Sequence, residues 1–264
     1  MKTTKLCLTA VGLLALGALP GFAQDAAPAD GGLSFGQSGW EFEAAAYLWL
    51  PESKTGVSTP YGRAVTSLSA GDAVDALDVG VMFAVNARQG DWALVGDVFY
   101  LDLTLQDSSP LGLFYSGGEA RTRLTSIAGY GLYNFYEDDK LRVEAGGGLR
   151  YMSSEIDVTL HGNLAADRKT SISDDWIDPV IAFRTTAKLG ERLDGVLWLD
   201  GGGFDLGGST SDRSWQVSAM LHWKANEKWT IGGGYRTLYV DRENDGTSYD
   251  LRMSGPILGA SMRF

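Results

Sequence analysis

From Trp40 onward the chain repeats one pattern, in which an apolar residue alternates with a polar or small one over about ten residues before a turn. Between Leu77 and Arg88, one face carries Leu77, Val79, Val81, Phe83, Val85 and Ala87. The other carries Asp78, Gly80, Met82, Ala84, Asn86 and Arg88. The same split separates Leu141, Val143, Ala145, Gly147, Leu149 and Tyr151 from Arg142, Glu144, Gly146, Gly148, Arg150 and Met152. It recurs where Trp215, Val217, Ala219, Leu221 and Trp223 oppose Gln216, Ser218, Met220, His222 and Lys224. A period of two is the signature of a β-strand, because successive side chains leave opposite faces.

The pattern predicts strands over 39–50, 77–88, 91–105, 118–136, 140–156, 174–189, 192–205, 213–225, 228–242 and 248–264. Tight connections at Gln89-Gly90, Glu137-Asp138-Asp139, Gly190-Glu191 and Asn226-Glu227 alternate with longer ones at 51–76, 106–117, 157–173, 206–212 and 243–247. Ten antiparallel strands with short turns at one end and long loops at the other describe an all-β, up-and-down transmembrane β-barrel, short turns toward the periplasm. Segment 61–69 reads as a further strand in the first loop, which leaves twelve strands as the alternative count. Two strands break phase: Val98 and Tyr100 are followed by Leu101, Leu103 and Leu105, and Leu251 and Met253 by Pro256, Leu258 and Ala260. A β-bulge near Tyr100 and another at Gly255-Pro256 are expected to restore the alternation.

A soluble barrel also alternates, with its apolar face inward, so aromatics and charge must decide the direction. On the apolar face Trp40, Trp92, Tyr136, Trp223, Trp229 and Phe264 cluster near the short-turn end. Tyr100, Tyr151, Trp215, Tyr239 and Tyr249 cluster near the long-loop end. Two aromatic belts match the two interfaces of a bilayer. A Lys or Arg facing lipid at mid-depth costs roughly 2–4 kcal/mol, and the apolar faces above carry none. The charges are therefore assigned to the lumen: Glu41, Glu43, Asp78, Arg121, Arg123, Arg142, Glu144, Arg150, Asp178, Arg184, Asp194, Asp200, Arg236 and Arg252.

The N-terminus explains how such a chain is exported. Lys2 and Lys5 precede an apolar run from Leu6 to Leu19, and small residues around Ala23 form a cleavage site, so residues 1–23 read as a signal peptide and Gln24 as the first mature residue. Residues 24–38, rich in Ala, Asp, Gly and Ser, read as a flexible periplasmic leader, and 39–264 as the barrel. Cys7 lies at the start of the apolar run, ahead of the expected cleavage site, so the mature chain has no cysteine and forms no disulfide. The formal charge of −11 becomes −13 once the two leader lysines are removed, and such a surface excludes nucleic acid as a partner.

Gly259-Ala260-Ser261-Met262-Arg263-Phe264 resembles the C-terminal signal of bacterial outer-membrane proteins, which implies recognition by the barrel assembly machinery. Trp40-Glu41-Phe42 through Tyr47-Leu48-Trp49-Leu50-Pro51, with Gly56 and Leu77-Asp78, is similar to a group of uncharacterised proteobacterial outer-membrane barrels over residues 40–105. The resemblance implies a porin-like barrel in the outer membrane, surrounded by lipid and lipopolysaccharide, and brings no active site with it.

Three chemistries compete for the interior and rim. Interior charges pair with one another and plug a narrow lumen, or they line a narrow porin-like passage for small polar solutes. The third is an outer-membrane hydrolase acting on lipid A or peptides at the extracellular rim, as in omptin proteases and lipid A deacylases, barrels of similar size. His161 stands between Asp157 and Asp167 in an outer loop, whereas His222 lies inward near the short-turn end beside Lys224. No local motif supplies a nucleophile, so a non-enzymatic barrel without cofactor is the leading expectation. Divalent cations are candidate partners at the acidic outer positions Asp241, Glu243 and Asp245 before Gly246, at Asp72 and Asp75, and at Asp174-Asp175. The Gly146–Gly148, Gly201–Gly203 and Gly232–Gly234 triplets fall in strands, where they relieve crowding or permit curvature and do not bind phosphate.

Overall fold

The computed structural model describes residues 39–59, 62–107, 115–162, 166–204, 210–244 and 247–264. The expected signal peptide and leader, and Asp245 and Gly246 of the acidic loop, lie outside the described residues. In chain order the elements are β1 (Glu41–Trp49), β2 (Glu52–Thr59), β3 (Gly62–Leu68), α1 (Ala70–Ala76), β4 (Leu77–Gln89), β5 (Trp92–Asp107) and β6 (Tyr115–Glu137). There follow β7 (Leu141–Gly162), β8 (Arg168–Lys188), β9 (Leu193–Gly203), β10 (Arg213–Lys224), β11 (Trp229–Asn244) and β12 (Thr247–Arg263).

Ten strands, β1 and β4 through β12, form a closed antiparallel ring. Each pairs with the next, and β12 returns to β1 from Glu43 opposite Arg263 to Trp49 opposite Ile257. The Phe264 amide donates to the Phe42 carbonyl at 2.9 Å and finishes the seam. Past Leu50 and Pro51 the chain continues the line of β1 as β2, pairs with the outer part of β12, and folds back as β3. The strand expected at 61–69 is β3, a hairpin arm outside the ring. The rest of that long connection holds α1, which the sequence did not predict. Ser69 caps it reciprocally with Asp72, and Ala73 and Ala76 are its buried residues.

The alternation has the expected hand along most of the wall. Val79, Val81, Phe83 and Val85 of β4, Leu149 of β7, and Val217, Leu221 and Trp223 of β10 are exposed on the outer surface. Met82, Glu144, Arg150, Met152, Ser214 and Gln216 are buried inside. A band about 9–11 residues long is enough for a strand to cross a bilayer. Because β6, β7 and β8 have 23, 22 and 21 residues, this side of the wall rises well past the membrane at the long-loop end.

Both expected bulges are absent. β5 runs against β6 in unbroken register from Trp92 to Asp107, and β12 runs against β11 unbroken from Thr247 to Met262. Instead the alternation continues, and it carries Leu101, Leu251, Met253 and Ile257 into the interior as buried apolar groups. Register shifts occur elsewhere, at Leu77/Val79 in β4 and at Asn134/Tyr136 in β6.

Two close approaches explain why glycine stands where it does. A Cβ on Gly146 would lie 1.9 Å from the Gly131 carbonyl oxygen, and one on Gly255 would lie 2.1 Å from that of Leu50. Both are crowded by neighbouring backbone, one at the β6–β7 pair and one where β1 gives way to β2 beside β12.

Candidate functional site

The lumen is filled in layers. Toward the long-loop end Trp49, Met82, Phe99, Leu101, Leu124, Met152, Trp176, Leu238, Val240, Leu251, Met253 and Ile257 form one buried apolar cluster. These side chains come from eight of the ten ring strands, all but β9 and β10. Trp49 and Phe99 meet edge to face at 5.7 Å, and both are at most 1% exposed.

Beneath this plug lies a band of crossed charges. Arg236 on β11 donates to Asp97 on β5 at 2.9 Å, to the Tyr47 hydroxyl on β1 at 3.0 Å, and to Gln216 at 2.6 Å. Its guanidinium also stands 4.9 Å from the Trp49 ring centroid and 5.3 Å from that of Phe99, which joins the band to the plug. Arg150 on β7 pairs with Asp200 on β9, and Asp200 also accepts from Trp198 Nε1 at 2.7 Å and Gln216 at 3.1 Å. Nearer the short turns, Glu144 is wholly buried and accepts from Arg88 at 2.7 Å and from Arg184 at 2.5 Å. Arg184 also donates across the lumen to Asn86 at 3.0 Å. Each buried charge here has an opposite partner, as burial in a low-dielectric interior requires.

Below the band the lumen opens into a cavity of about 490 Å³ lined by side chains of the short-turn end. Glu41, Glu43, Arg142, Arg184, Asp194 and His222 line it, and Trp198, Val95, Val196 and Met220 supply apolar contacts. Arg142 donates to Glu137 at 2.5 Å, Lys224 pairs with Asp194 at 2.7 Å, and Glu43 accepts from Ser261 at 2.5 Å.

Of the fourteen charges assigned to the lumen, the structure places Glu41, Glu43, Arg142, Glu144, Arg150, Asp178, Arg184, Asp194, Asp200 and Arg236 on the inner face. Asp178 accepts from the Ser211 amide and hydroxyl, both at 2.7 Å. Four are corrected. Arg121 and Arg123 face outward on the tall part of β6, where Arg121 pairs with Asp102 at 2.6 Å and Arg123 with Glu155 at 2.7 Å and Asp157 at 2.5 Å. These strands have already left the bilayer, so an outward charge there meets water and no lipid penalty applies. Asp78 sits at the β4 register shift, exposed, and accepts from Thr104 at 2.5 Å. Arg252 is exposed because β12 keeps its phase, and it lies 5.8 Å from the ring centroid of Tyr239 beside it. The sequence reading missed Asp97 and Arg242. Asp97 alternates with Val95 and Phe99, and that signal was available. Arg242, 2% exposed, pairs with Asp174 at 2.6 Å and stands 5.2 Å from the Trp176 centroid.

On the outer surface Trp92, Tyr136, Trp223, Trp229 and Phe264 are exposed at the short-turn end, and Trp40 stacks on Phe42 at 6.3 Å. Tyr100, Tyr151, Trp215 and Tyr239 are half-buried toward the other end, with Trp215 and Tyr239 stacked at 5.8 Å. Tyr249 is corrected: it turns inward, 6.2 Å from Trp176 and 3.3 Å from the Ser154 hydroxyl.

The outward ion pairs on the tall strands tune their carboxylates. The Arg121 hydrogen bond holds Asp102 below the usual carboxylate range, and Asp102 raises Arg121 in return. The Ser171 hydroxyl, with Arg123, lowers Asp157. At the rim His161 Nδ1 is 3.8 Å from Asp167, both more than half exposed. His222 lines the inner cavity at the opposite end. Among the described residues no three acidic or imidazole groups gather as they would around a metal ion; Asp72 is held by the Ser69 cap, Asp174 turns inward to Arg242 while Asp175 is exposed, and Asp241 lies 3.5 Å from Arg213.

No family model and no curated protein matches the chain. Among solved structures it is similar to the outer-membrane protease OmpT of Escherichia coli, at 10% identity over 85% of this chain and 97% of that one, with a TM-score of 0.58. It also aligns with the Pseudomonas putida toluene transporter TodX at 11% identity, covering 88% and 91% of the two chains, with a TM-score of 0.35. Neisserial surface protein A aligns at 14% identity over 86% and 98%, with a TM-score of 0.32. The OmpT likeness shows the fold alone, and the two lower scores carry no argument. A closed antiparallel barrel with an exposed apolar outer face is the architecture of a chain that crosses a membrane with strands.

Proposed function

We propose that this chain is a non-enzymatic outer-membrane barrel closed to solutes, which holds a rigid wall in the membrane and presents its tall strands β6 to β8 to the exterior. One observation carries the reading: a buried apolar cluster drawn from eight strands stands in the lumen, and the Arg236–Asp97 and Arg88–Glu144 bridges lie beneath it. A porin-like passage needs water and polar wall groups along its whole length, and here twelve buried apolar side chains stand in the way. The wall's partners on this reading are outer-membrane lipid and lipopolysaccharide, met by the aromatic belts and by outward cations such as Arg252. The barrel assembly machinery would insert it through the C-terminal strand.

The test is solute uptake into proteoliposomes. Vesicles holding the refolded barrel are expected to exclude small sugars and amino acids as protein-free vesicles do. Swelling that scales with protein content would contradict closure. For the rim, wild type and His161→Ala are expected to leave lipid A and peptide substrates equally intact.

A further inference from the structure

The tall side of the wall ends in a strand that has a neighbour on one flank only. β8 pairs with β7 without a break, from Arg168 opposite Leu160 to Ala187 opposite Leu141. On its other flank β9 reaches only to Gly202, opposite Val180, so Arg168 to Pro179 have no strand partner there among the described residues. Ser211 and Arg242 approach the lower part of this stretch through the inward side chains of Asp178 and Asp174. Above them, every residue from Arg168 to Ser173 is exposed, on both faces of the strand.

Such an edge turns backbone N–H and C=O groups away from its own sheet, which makes it a template for one more strand. Proteins blunt edges of this kind with bulges, proline or charge. β8 has no bulge against β7 and no proline before Pro179, and Arg168 and Lys169 guard only its tip.

The side chains define the strand that fits. The outward row reads Lys169, Ser171, Ser173 and Asp175, with opposite charges at its two ends. Both end residues are exposed, and neither enters an ion pair among the described residues. The other face offers apolar surface. Val158 on β7 and Ile172 on β8 are 38% and 47% exposed, and the unbroken alternation sets them on the face that carries Met152 and Trp176 below.

We propose that the outer edge of β8, from Arg168 to Asp175, docks an extended peptide segment of a partner protein by strand addition. The segment sets an acidic residue beside Lys169 and a basic residue beside Asp175, on one face, and an apolar side chain beside Ile172 on the other. The proposal rests on the reading that β6 to β8 stand outside the membrane, and it names what they hold. Main-chain hydrogen bonds supply the affinity, and the two charges select the register.

The probe is acetyl-Lys-Thr-Thr-Val-Thr-Val-Glu-amide, titrated into the refolded full barrel in detergent micelles and followed by calorimetry and hydrogen exchange. Saturable binding of one peptide per barrel is expected, with exchange slowed over 168–175 and unchanged in the membrane-spanning strands. Glutamine in place of both peptide charges should weaken binding about threefold. A barrel carrying Lys169→Gln and Asp175→Asn, both at exposed positions, should erase that difference while giving the same heat-resistant folded gel band. Methyl groups on the peptide's backbone nitrogens at its second, fourth and sixth residues, or at its third and fifth, block one edge of the added strand at a time. One set should abolish binding and the other should spare it. Four results overturn the proposal: no saturable binding at millimolar peptide, binding that survives both methylated sets, a charge difference that persists in the double variant, or slowed exchange on β8 from barrels pairing without peptide, which would assign the edge to a second copy. Lumen closure, and with it the reading beneath this proposal, is measured separately by solute exclusion.

Discussion

The two halves of the lumen share one wall and one alternation yet hold opposite contents. The half toward the long loops is mainly apolar, filled by Trp49, Phe99, Met152 and their neighbours, with Asp178 and the Arg242–Asp174 pair set beside Trp176. The half toward the short turns is charged and partly empty, with Glu144 clamped between Arg88 and Arg184 above an open cavity. The difference teaches that in a narrow barrel the inward position is not a polar position by rule. It is whatever fills the space, and only the outward face is dictated by lipid. Arg236 marks the boundary, since it makes ion-pair contact with Asp97 on one side and ring contact with Trp49 on the other.

The sharpest way to break the comparison is to remove a buried charge from the lower half. Glu144→Ala leaves two guanidiniums facing each other with no carboxylate between them, and a loss of about 3–5 kcal/mol is expected. Urea unfolding followed by the shift of the folded gel band measures it, and replacing Glu144, Arg88 and Arg184 together by Leu should recover much of the loss if pairing is the cause. In the apolar half the cost is one of cavity formation. Met152→Ala is expected to destabilise by about 2–4 kcal/mol without altering solute exclusion, because the charge band beneath it remains intact. A crowded wall position sits between these: Gly146→Ala forces the Gly131 carbonyl to move and is expected to slow or reduce refolding, read as the fraction reaching the folded band.

The smallest effect belongs to the tall strands. Asp102 and Asp157 are held below the usual carboxylate range, so their ion pairs contribute at neutral pH. That contribution is present above the unfolded carboxylate value and is lost as pH falls through the lowered folded values. Hydrogen exchange on β6 and β7 outside the membrane should therefore quicken in acid while the membrane-spanning part is unchanged. Arg123→Gln should remove part of the pH response.

The legibility of the sequence follows the same division. Where lipid acts, on Val79, Val81, Phe83, Leu149, Val217 and Leu221, the outward face was readable because a charge there is costly. The central charges Glu144, Arg150, Asp200 and Arg236 were readable as the other face of the same alternation. Legibility failed where an assumption of polarity replaced geometry. Leu101, Leu251 and Met253 are apolar at inward positions, so the pattern reads as a break in phase where the strands run on unbroken and turn these side chains into the apolar cluster. It failed again at Arg121, Arg123, Asp78 and Arg252, where the bilayer no longer constrains the outer face. Which side chains meet across the lumen, as Arg184 does with Asn86 and Arg88 with Glu144, depends on ring closure and strand stagger. A one-dimensional pattern does not contain them.

Single-channel recording of the refolded barrel in planar bilayers tests the central claim most directly. The plug and the charge band predict a silent membrane, without reproducible openings, and the same silence for Met152→Ala. Stepwise openings of constant size in the wild-type protein, scaling with salt concentration, would show a continuous aqueous path and contradict a closed lumen.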